Sequence, residues 1–387
     1  MPLFTLNLGY LLQQAIMFAA TGIGAGLVLL VLAGLRRIKL WPKTLVASLL
    51  LETLFVAGAL SGAELYAYRK GWLNVLPGWP SMFMIVALCY YWGVVFWPLR
   101  VFWLRKRILG HKGSRLVFGT AIFAPLLGFY GCFVEPNWLD REPVELQRPE
   151  VRGEAIRIAH FSDLQLVDFG FRERALISAI AEFRPHLVIM TGDYIMAQLG
   201  EDTAIAAART VIENLHPSHG IYATTSDSNT EVQARRIFKD LPVHYLVNKS
   251  VTVEVQGTPV RVGGVNHPYP RWDLLRREAK SDELFLVACH QPDLAEDCKE
   301  RIPEADIFFC GHTHGGQLQV PFYGPLITLT QRISRKVAAG GVFTTGNGMT
   351  MLLSRGVGME AEYSPRFRLN CRPHVFLVTL RGTEDSK

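Results

Sequence analysis

The chain has 387 residues, 49% of them hydrophobic and 19% charged, with 40 Lys and Arg against 34 Asp and Glu for a net charge of +6. That is long for one domain of roughly 100–200 residues. The six cysteines follow no framework spacing, no internal repeat or long low-complexity stretch is present, and the basic excess is gathered in short loops, so neither a disulfide scaffold nor a nucleic-acid surface is indicated.

Up to Val134 the chain is mostly apolar, aromatic and glycine-rich, and every histidine except His111 lies beyond Glu135. Four runs, Leu11 to Leu35, Thr44 to Leu65, Met82 to Leu104 and Leu116 to Val134, have membrane length, since a helix needs about 20 apolar residues to cross the hydrocarbon core. Met1 to Gly9 carries no positive charge, so the first run is not a good signal peptide. Arg36, Arg37, Lys39 and Lys43 follow the first run, and Arg105, Lys106, Arg107, Lys112 and Arg115 follow the third. The positive-inside rule places both loops in the cytoplasm and delivers everything after Glu135 to the outer face. Glu52, inside the second run, requires a partner or a cavity. The expected organisation is a multi-pass transmembrane region of about four helices over 1–134, a proline-containing linker over 135–154, a catalytic domain over 155–381 and a tail over 382–387.

Beyond the linker, apolar strands alternate with amphipathic helices. Strands are predicted at Ile156 to Phe161, Leu187 to Met190, Ile221 to Thr224, Val251 to Val255, Val260 to Gly263, Leu284 to Ala288, Ile307 to Phe309, Thr350 to Leu353 and Val375 to Leu380. Helices are predicted at Arg172 to Phe183 and Thr203 to Leu215. This is an α/β layered domain whose strand ends carry polar residues to one rim.

That rim is Asp163, Gln165, Asp193, Asp227, Asn229, His290, His312 and His314. Each cluster follows its own apolar run. Cys310-Gly311-His312-Thr313-His314-Gly315-Gly316-Gln317 is the most telling, because two imidazoles one residue apart on extended backbone turn toward different ions, and glycine lets backbone approach an anion. Carboxylates and imidazoles together suit Mn²⁺, Zn²⁺ or Fe. A bridging carboxylate such as Asp193 allows two ions, which would clamp the attacking and leaving oxygens of a phosphoryl transfer. Taken singly, these residues are ordinary turn formers; taken together they describe a centre for two divalent ions.

The domain resembles the calcineurin-like metallophosphoesterases, in particular their membrane-attached bacterial branch. The resemblance rests on Ser162 to Gln165, Thr191-Gly192-Asp193, Ser226 to Asn229, Cys289 to Asp293, Gly311 to Gln317 and Leu353 to Gly358. It implies a two-sheet αββα sandwich. It further implies Asp163, Asp193 and His314 on one metal and Asp193, His290 and His312 on the other. Three positions depart from the family pattern. Gln165 stands where a ligand histidine is usual, and Asp227-Ser228 stands where asparagine and a catalytic histidine are usual. Gln165 still offers a carbonyl oxygen, Asp227 is a candidate ligand, and Arg355 is a candidate for holding a phosphate oxygen.

Ser228 cannot protonate a leaving group as an imidazole can, a contribution of roughly 10²–10⁴ in rate. A stable leaving anion would depend on it least, which favours a pyrophosphate bond. The expected function is a membrane-anchored phosphoesterase acting on a phosphodiester or pyrophosphate, in a phosphorylated small molecule, a lipid or an envelope intermediate. Membrane lipids would be a partner, with Arg332, Arg335, Lys336, Arg366 and Arg368 as cations for headgroups. A catalytically weak metal-binding or regulatory module is the alternative, as is a UDP-diacylglucosamine-type pyrophosphatase if the domain faces the cytoplasm. Cys298 and Cys371 would be free to pair in an oxidising compartment.

Overall fold

Short runs of wholly apolar residues dictate the architecture. Leu-Val-Ile-Met and Ile-Phe-Phe-Cys leave no polar face for water, so each must be an internal strand covered on both sides. The computed structural model describes residues 130–197, 200–226, 231–276, 283–346, 348–360 and 366–383, with residue 127. The chain divides into two compact units, Met1–Gly128 and Phe129–Lys387, and both sheets belong to the second. The predicted spans, apart from the last residues of the fourth, lie outside the described residues, as do Asp227, Ser228 and Asn229. Among the described residues no helix is long and apolar enough to cross a membrane.

The first sheet runs β1 (Asp140–Gln147), β14 (His374–Arg381), β2 (Ile156–Phe161), β3 (Leu187–Met190), β4 (Ile221–Thr224) and β5 (Val243–Leu246) in spatial order. Strands β2 to β5 are parallel, and β14 is antiparallel to β2. The second sheet runs β12 (Gly341–Thr344), β13 (Thr350–Leu353), β9 (Ile307–Cys310), β8 (Leu284–Cys289), β7 (Thr258–Val265) and β6 (Lys249–Val255). Its four inner strands are parallel and its two edges antiparallel. A small hairpin, β10 (Gln319–Val320) and β11 (Gly324–Pro325), stands apart from both.

Period-two alternation divides the buried residues into three layers. Ile156, Ile158, Leu187, Ile189 and Tyr222 of the first sheet meet Val260, Val262, Leu286, Ile307 and Phe309 of the second. The other face of the first sheet, with Ala159, Phe161, Val188 and Met190, is covered by α1 (Phe171–Phe183), α2 (Glu201–Glu213) and α3 (Glu231–Phe238). Leu176, Ala179 and Ile180 give α1 its apolar stripe at helical spacing. The far face of the second sheet, with Phe285, Val287 and Phe308, packs on α4 (Ala295–Arg301) through Ala295 and Cys298. Helix, sheet, sheet, helix is the sandwich order that the resemblance implied. Each buried Leu, Ile or Phe contributes about 1.5–3 kcal/mol.

The structure corrects three sequence expectations. The segment 135–154 is not simply a linker, since it contains β1, paired in parallel with β14 from Asp140 with His374 to Gln147 with Arg381. Its sequence, Asp-Arg-Glu-Pro-Val-Glu-Leu-Gln, hides the strand because an edge strand facing water needs few apolar residues and tolerates proline. Cys298 and Cys371 are separate buried thiols. Arg368 is fully buried and cannot meet a lipid headgroup.

His160 is a core residue, packed against Phe309 and Phe376, with Nε2 3.1 Å from Thr191 Oγ1. Burial lowers its pKa from the ordinary 6.5 to about 3. The folded chain therefore stays neutral there while the unfolded chain takes up a proton below pH 6.5. Stability from this group is complete above pH 6.5 and is lost as pH falls toward 3, at about 1.4 kcal/mol per pH unit. His160→Gln should cut the stability difference between pH 7 and pH 5 by about 2 kcal/mol, measured by chemical denaturation at both values.

Candidate metal centre

The centre forms where the parallel strands end. Asp163 and Gln165 follow β2, Asp193 follows β3, His290 follows β8, and His312 and His314 follow β9. Parallel strands bring their carboxyl ends to one edge, so polar residues distant in sequence meet in space. Asp163, Gln165, Asp193, His290 and His314 are all buried.

Their contacts are direct. Asp193 Oδ2 lies 3.4 Å from His290 Nε2, and Asp163 Oδ1 lies 3.3 Å from His314 Nε2 and 4.0 Å from His290 Nε2. His312 Nδ1 is 3.3 Å from His290 Nε2. The backbone N–H of His312 donates to both oxygens of Asp163, at 3.1 and 3.0 Å, which aims that carboxylate across the sheets. Ligand atoms of Asp163, Asp193 and His290 lie within 4.8 Å of one another.

Hydrogen positions follow from the partners. His290 Nδ1 is 2.7 Å from Thr191 O, and a carbonyl only accepts, so Nδ1 carries the hydrogen. In the neutral ring Nε2 is then the acceptor, 3.3 Å from His312 Nδ1 and 3.4 and 4.0 Å from carboxylate oxygens of Asp193 and Asp163. His312 Nε2 is 3.1 Å from Leu329 O and 3.0 Å from Gln291 Nε2, and its Nδ1 is 3.3 Å from His290 Nε2, so the ring is held at both nitrogens. Two carboxylates and an imidazole acceptor gathered within 4.8 Å in a buried pocket favour a cation between them. Two further atoms, Gln165 Oε1 and His314 Nδ1, are buried without a hydrogen-bond partner. The donor set fits divalent metal: carboxylate and imidazole, with a carbonyl behind the His290 ring holding its tautomer.

Burial raises the pKa of Asp163, and nearby Asp193 adds to the rise while His290 opposes it. Burial also pushes His314 down to about 3, with the Arg368 charge adding to the effect. Both shifts report a site that is costly to charge without a counterion.

Backbone strain is concentrated here. Asp163, Gln165, Asp193, His312 and His314 all have positive φ, between 38° and 73°. Left-handed conformation costs a non-glycine residue on the order of 1–3 kcal/mol and persists only where surroundings enforce it. Arg368 supplies part of that enforcement. Its guanidinium donates to the carbonyls of Arg355, Gly356, Gly358 and Cys371, at 2.9, 3.1, 2.6 and 2.9 Å respectively. The turn so held donates back, Val357 N–H to Ser162 O and Gly358 N–H to Asp163 O, fixing the strand end that presents Asp163.

Not every predicted residue joins the cluster. The Arg355 guanidinium is committed to Asp140 and Glu142 of β1, at 3.0 and 3.3 Å, so its contacts are those of an ion pair. Asp227 and Ser228 lie outside the described residues. Sequence reasoning passed over Thr191, which seats His290, and Glu360, whose Oε2 accepts from Gln165 Nε2 at 3.0 Å. Thr191 was visible beside Gly192-Asp193, whereas nothing periodic marks Glu360.

No protein-family model matches the chain. It is 26% identical over 271 residues to the uncharacterised metallophosphoesterase YkuE of Bacillus subtilis, covering 66% of this chain and 90% of that one. It is 27% identical over 283 residues to the phosphodiesterase YaeI of Escherichia coli, covering 67% and 96%. Among solved structures it is similar to the phosphoesterase Yfce of E. coli, with 13% identity, a TM-score of 0.27 and coverage of 55% of this chain and 85% of that one. It is also similar to a dimetal phosphatase of Danio rerio, with 11% identity, a TM-score of 0.31 and coverage of 56% and 91%. The sequence relatives support the calcineurin-like family.

Gly311 tests the packing of the centre. A Cβ there would collide with Ser162 Oγ and Asp163 Oδ2, both buried. Gly311→Ala should cost about 1–3 kcal/mol in stability and weaken Mn²⁺ binding at least tenfold by displacing Asp163. Denaturation and a Mn²⁺ titration on the same preparation would measure both.

Proposed function

We propose that this chain is a metal-dependent hydrolase of phosphoester bonds whose centre is held by Asp163, Asp193, His290, His312 and His314. The observation that carries the reading is the convergence of imidazole nitrogens and carboxylate oxygens in one pocket, with ligand atoms of Asp163, Asp193 and His290 within 4.8 Å of one another. The likeness to a metallophosphoesterase and a phosphodiesterase, over 66% and 67% of this chain, supports the same class.

Divalent ions, when bound, would supply an activated water and offset charge developing on phosphorus. The chain's own residues prepare for this. Thr191 O and Leu329 O hold the rings of His290 and His312 with ligand nitrogens inward. The His312 N–H holds Asp163 with an oxygen toward His314. Asp193 stands against both His290 and Gln165, the position a shared carboxylate needs.

The finer reading is a membrane-anchored enzyme on the outer face, cleaving a pyrophosphate or phosphodiester bond in a lipid or envelope intermediate. The apolar runs and basic loops before Glu135 support the membrane part. The hairpin beside the centre supports the lipid part. Phe322, Tyr323, Leu326 and Ile327 are more than half exposed there, and the same segment leads to Leu329, whose carbonyl holds His312. Four exposed apolar residues within six positions of one segment are a candidate contact for an apolar partner. Ser228 supports the choice of bond, because a phosphate leaves without the proton that an alkoxide requires.

The test compares purified full-length chain with Mn²⁺ on alkyl phosphodiesters and on pyrophosphate-linked substrates of matched size. Hydrolysis of both classes, with the pyrophosphate at least 10²-fold faster, is expected, the lower end of about 10²–10⁴ for a missing general acid. Equal or faster alkyl cleavage would overturn the pyrophosphate preference, and no hydrolysis of either with metal bound would overturn the enzyme reading.

A further inference from the structure

Gln165 is held in an arrangement that makes sense only if something else belongs there. Its side-chain amide nitrogen lies 3.0 Å from Glu360 Oε2 and 3.5 Å from Asp193 Oδ2. Both partners are carboxylates, which accept and do not donate. The NH₂ end of the amide must therefore face them. The carbonyl end, Oε1, is left buried with no hydrogen-bond partner, which is unfavourable. A primary amide turned half a turn about its last torsion keeps its shape and exchanges oxygen for nitrogen. With a cation at this point the preference reverses, and the oxygen faces inward with the two carboxylates.

We propose that Glu360 belongs to the metal centre, where Glu360 Oε2, Asp193 Oδ2 and the turned-over Gln165 Oε1 form an oxygen-donor face that selects hard ions, Mn²⁺ or Mg²⁺, over Zn²⁺. The inference rests on the reading of the pocket as a metal centre and adds a residue and a selectivity to it. Oxygen ligands favour Mn²⁺ and Mg²⁺, whereas imidazole suits Zn²⁺ equally well. The face thus opposes the Zn²⁺ preference of the imidazole group made by His290 and His312. Glu360 is also close enough for its charge to act on His314, where it opposes the effect of burial. In the metal-free protein the Gln165 amide keeps the two carboxylates apart by donating to both.

The experiment titrates Mn²⁺ and Zn²⁺ separately into purified, metal-stripped full-length chain, following Mn²⁺ by paramagnetic resonance and Zn²⁺ by competition with a chromophoric chelator. Glu360→Gln preserves side-chain shape and an acceptor for the Gln165 amide but removes the charge. It should weaken one Mn²⁺ site about 10–100-fold, the usual effect of losing a supporting or ligating group, and weaken Zn²⁺ by a smaller factor, so that the Mn²⁺/Zn²⁺ affinity ratio falls. Gln165→Met, near in size but without the amide, should lower the same ratio and serves as the second variant if Glu360→Gln misfolds by circular dichroism. If the wild-type chain binds two Mn²⁺ and the variants keep its affinity ratio, the role of Glu360 is wrong while the metal centre stands. If the wild-type chain binds neither metal, the centre itself is wrong and this inference falls with it.

Discussion

Two carboxylates, Asp163 and Asp193, whose ligand oxygens lie within 4.8 Å of one another and of His290 in a buried pocket, repel unless positive charge lies between them. This repulsion is the constraint on which the rest of the domain depends. Coulomb energies rise as the dielectric falls, so burying the group magnifies both the penalty when empty and the attraction for a cation. A proton can relieve one contact, but a divalent ion relieves several at once. Burial raises the pKa of Asp163, and the neighbouring Asp193 adds to the rise.

Holding such a group takes structure that contributes elsewhere. The parallel strands of two sheets end at one edge, and the large apolar layer between them keeps those ends in register. Asp163, Gln165, Asp193, His312 and His314 all leave their strands in left-handed conformation, which costs energy that the core must offset. Arg368 is the clearest case of support at a distance. Its charge is buried and its pKa is lowered by that burial to about 10, so it remains a cation at neutral pH. Four carbonyls take up its hydrogens, and the turn they form grips Ser162 and Asp163 from below.

Much of this was legible in the residues. The runs Leu187–Met190, Ile221–Thr224 and Thr350–Leu353 were placed to the residue, because mostly apolar runs this short between turn formers are too brief for a helix. The aspartates and histidines were legible because each follows such a run. β1 was not, since an exposed edge strand of alternating charge looks like a linker until its partner β14 is known. Arg355 was read as a ligand for phosphate from the turn that carries it, but side-chain direction is a tertiary property, and Asp140 and Glu142 on the missed strand claim it. Glu360 was missed for a related reason: its contact with Gln165 spans 195 residues of sequence, and no local pattern encodes it.

The central claim is that the pocket holds a pair of divalent ions through residues from four strand ends. Elemental analysis of the purified chain, with anomalous scattering to locate the metal, tests it most directly. Two ions per chain are predicted, one beside Asp163 and His314 and one beside His290 and His312, with Asp193 between them, and Asp193→Asn should lose both. A chain that purifies metal-free, takes up no Mn²⁺, Zn²⁺ or Fe²⁺ when they are supplied, and shows no anomalous signal in the pocket would contradict it.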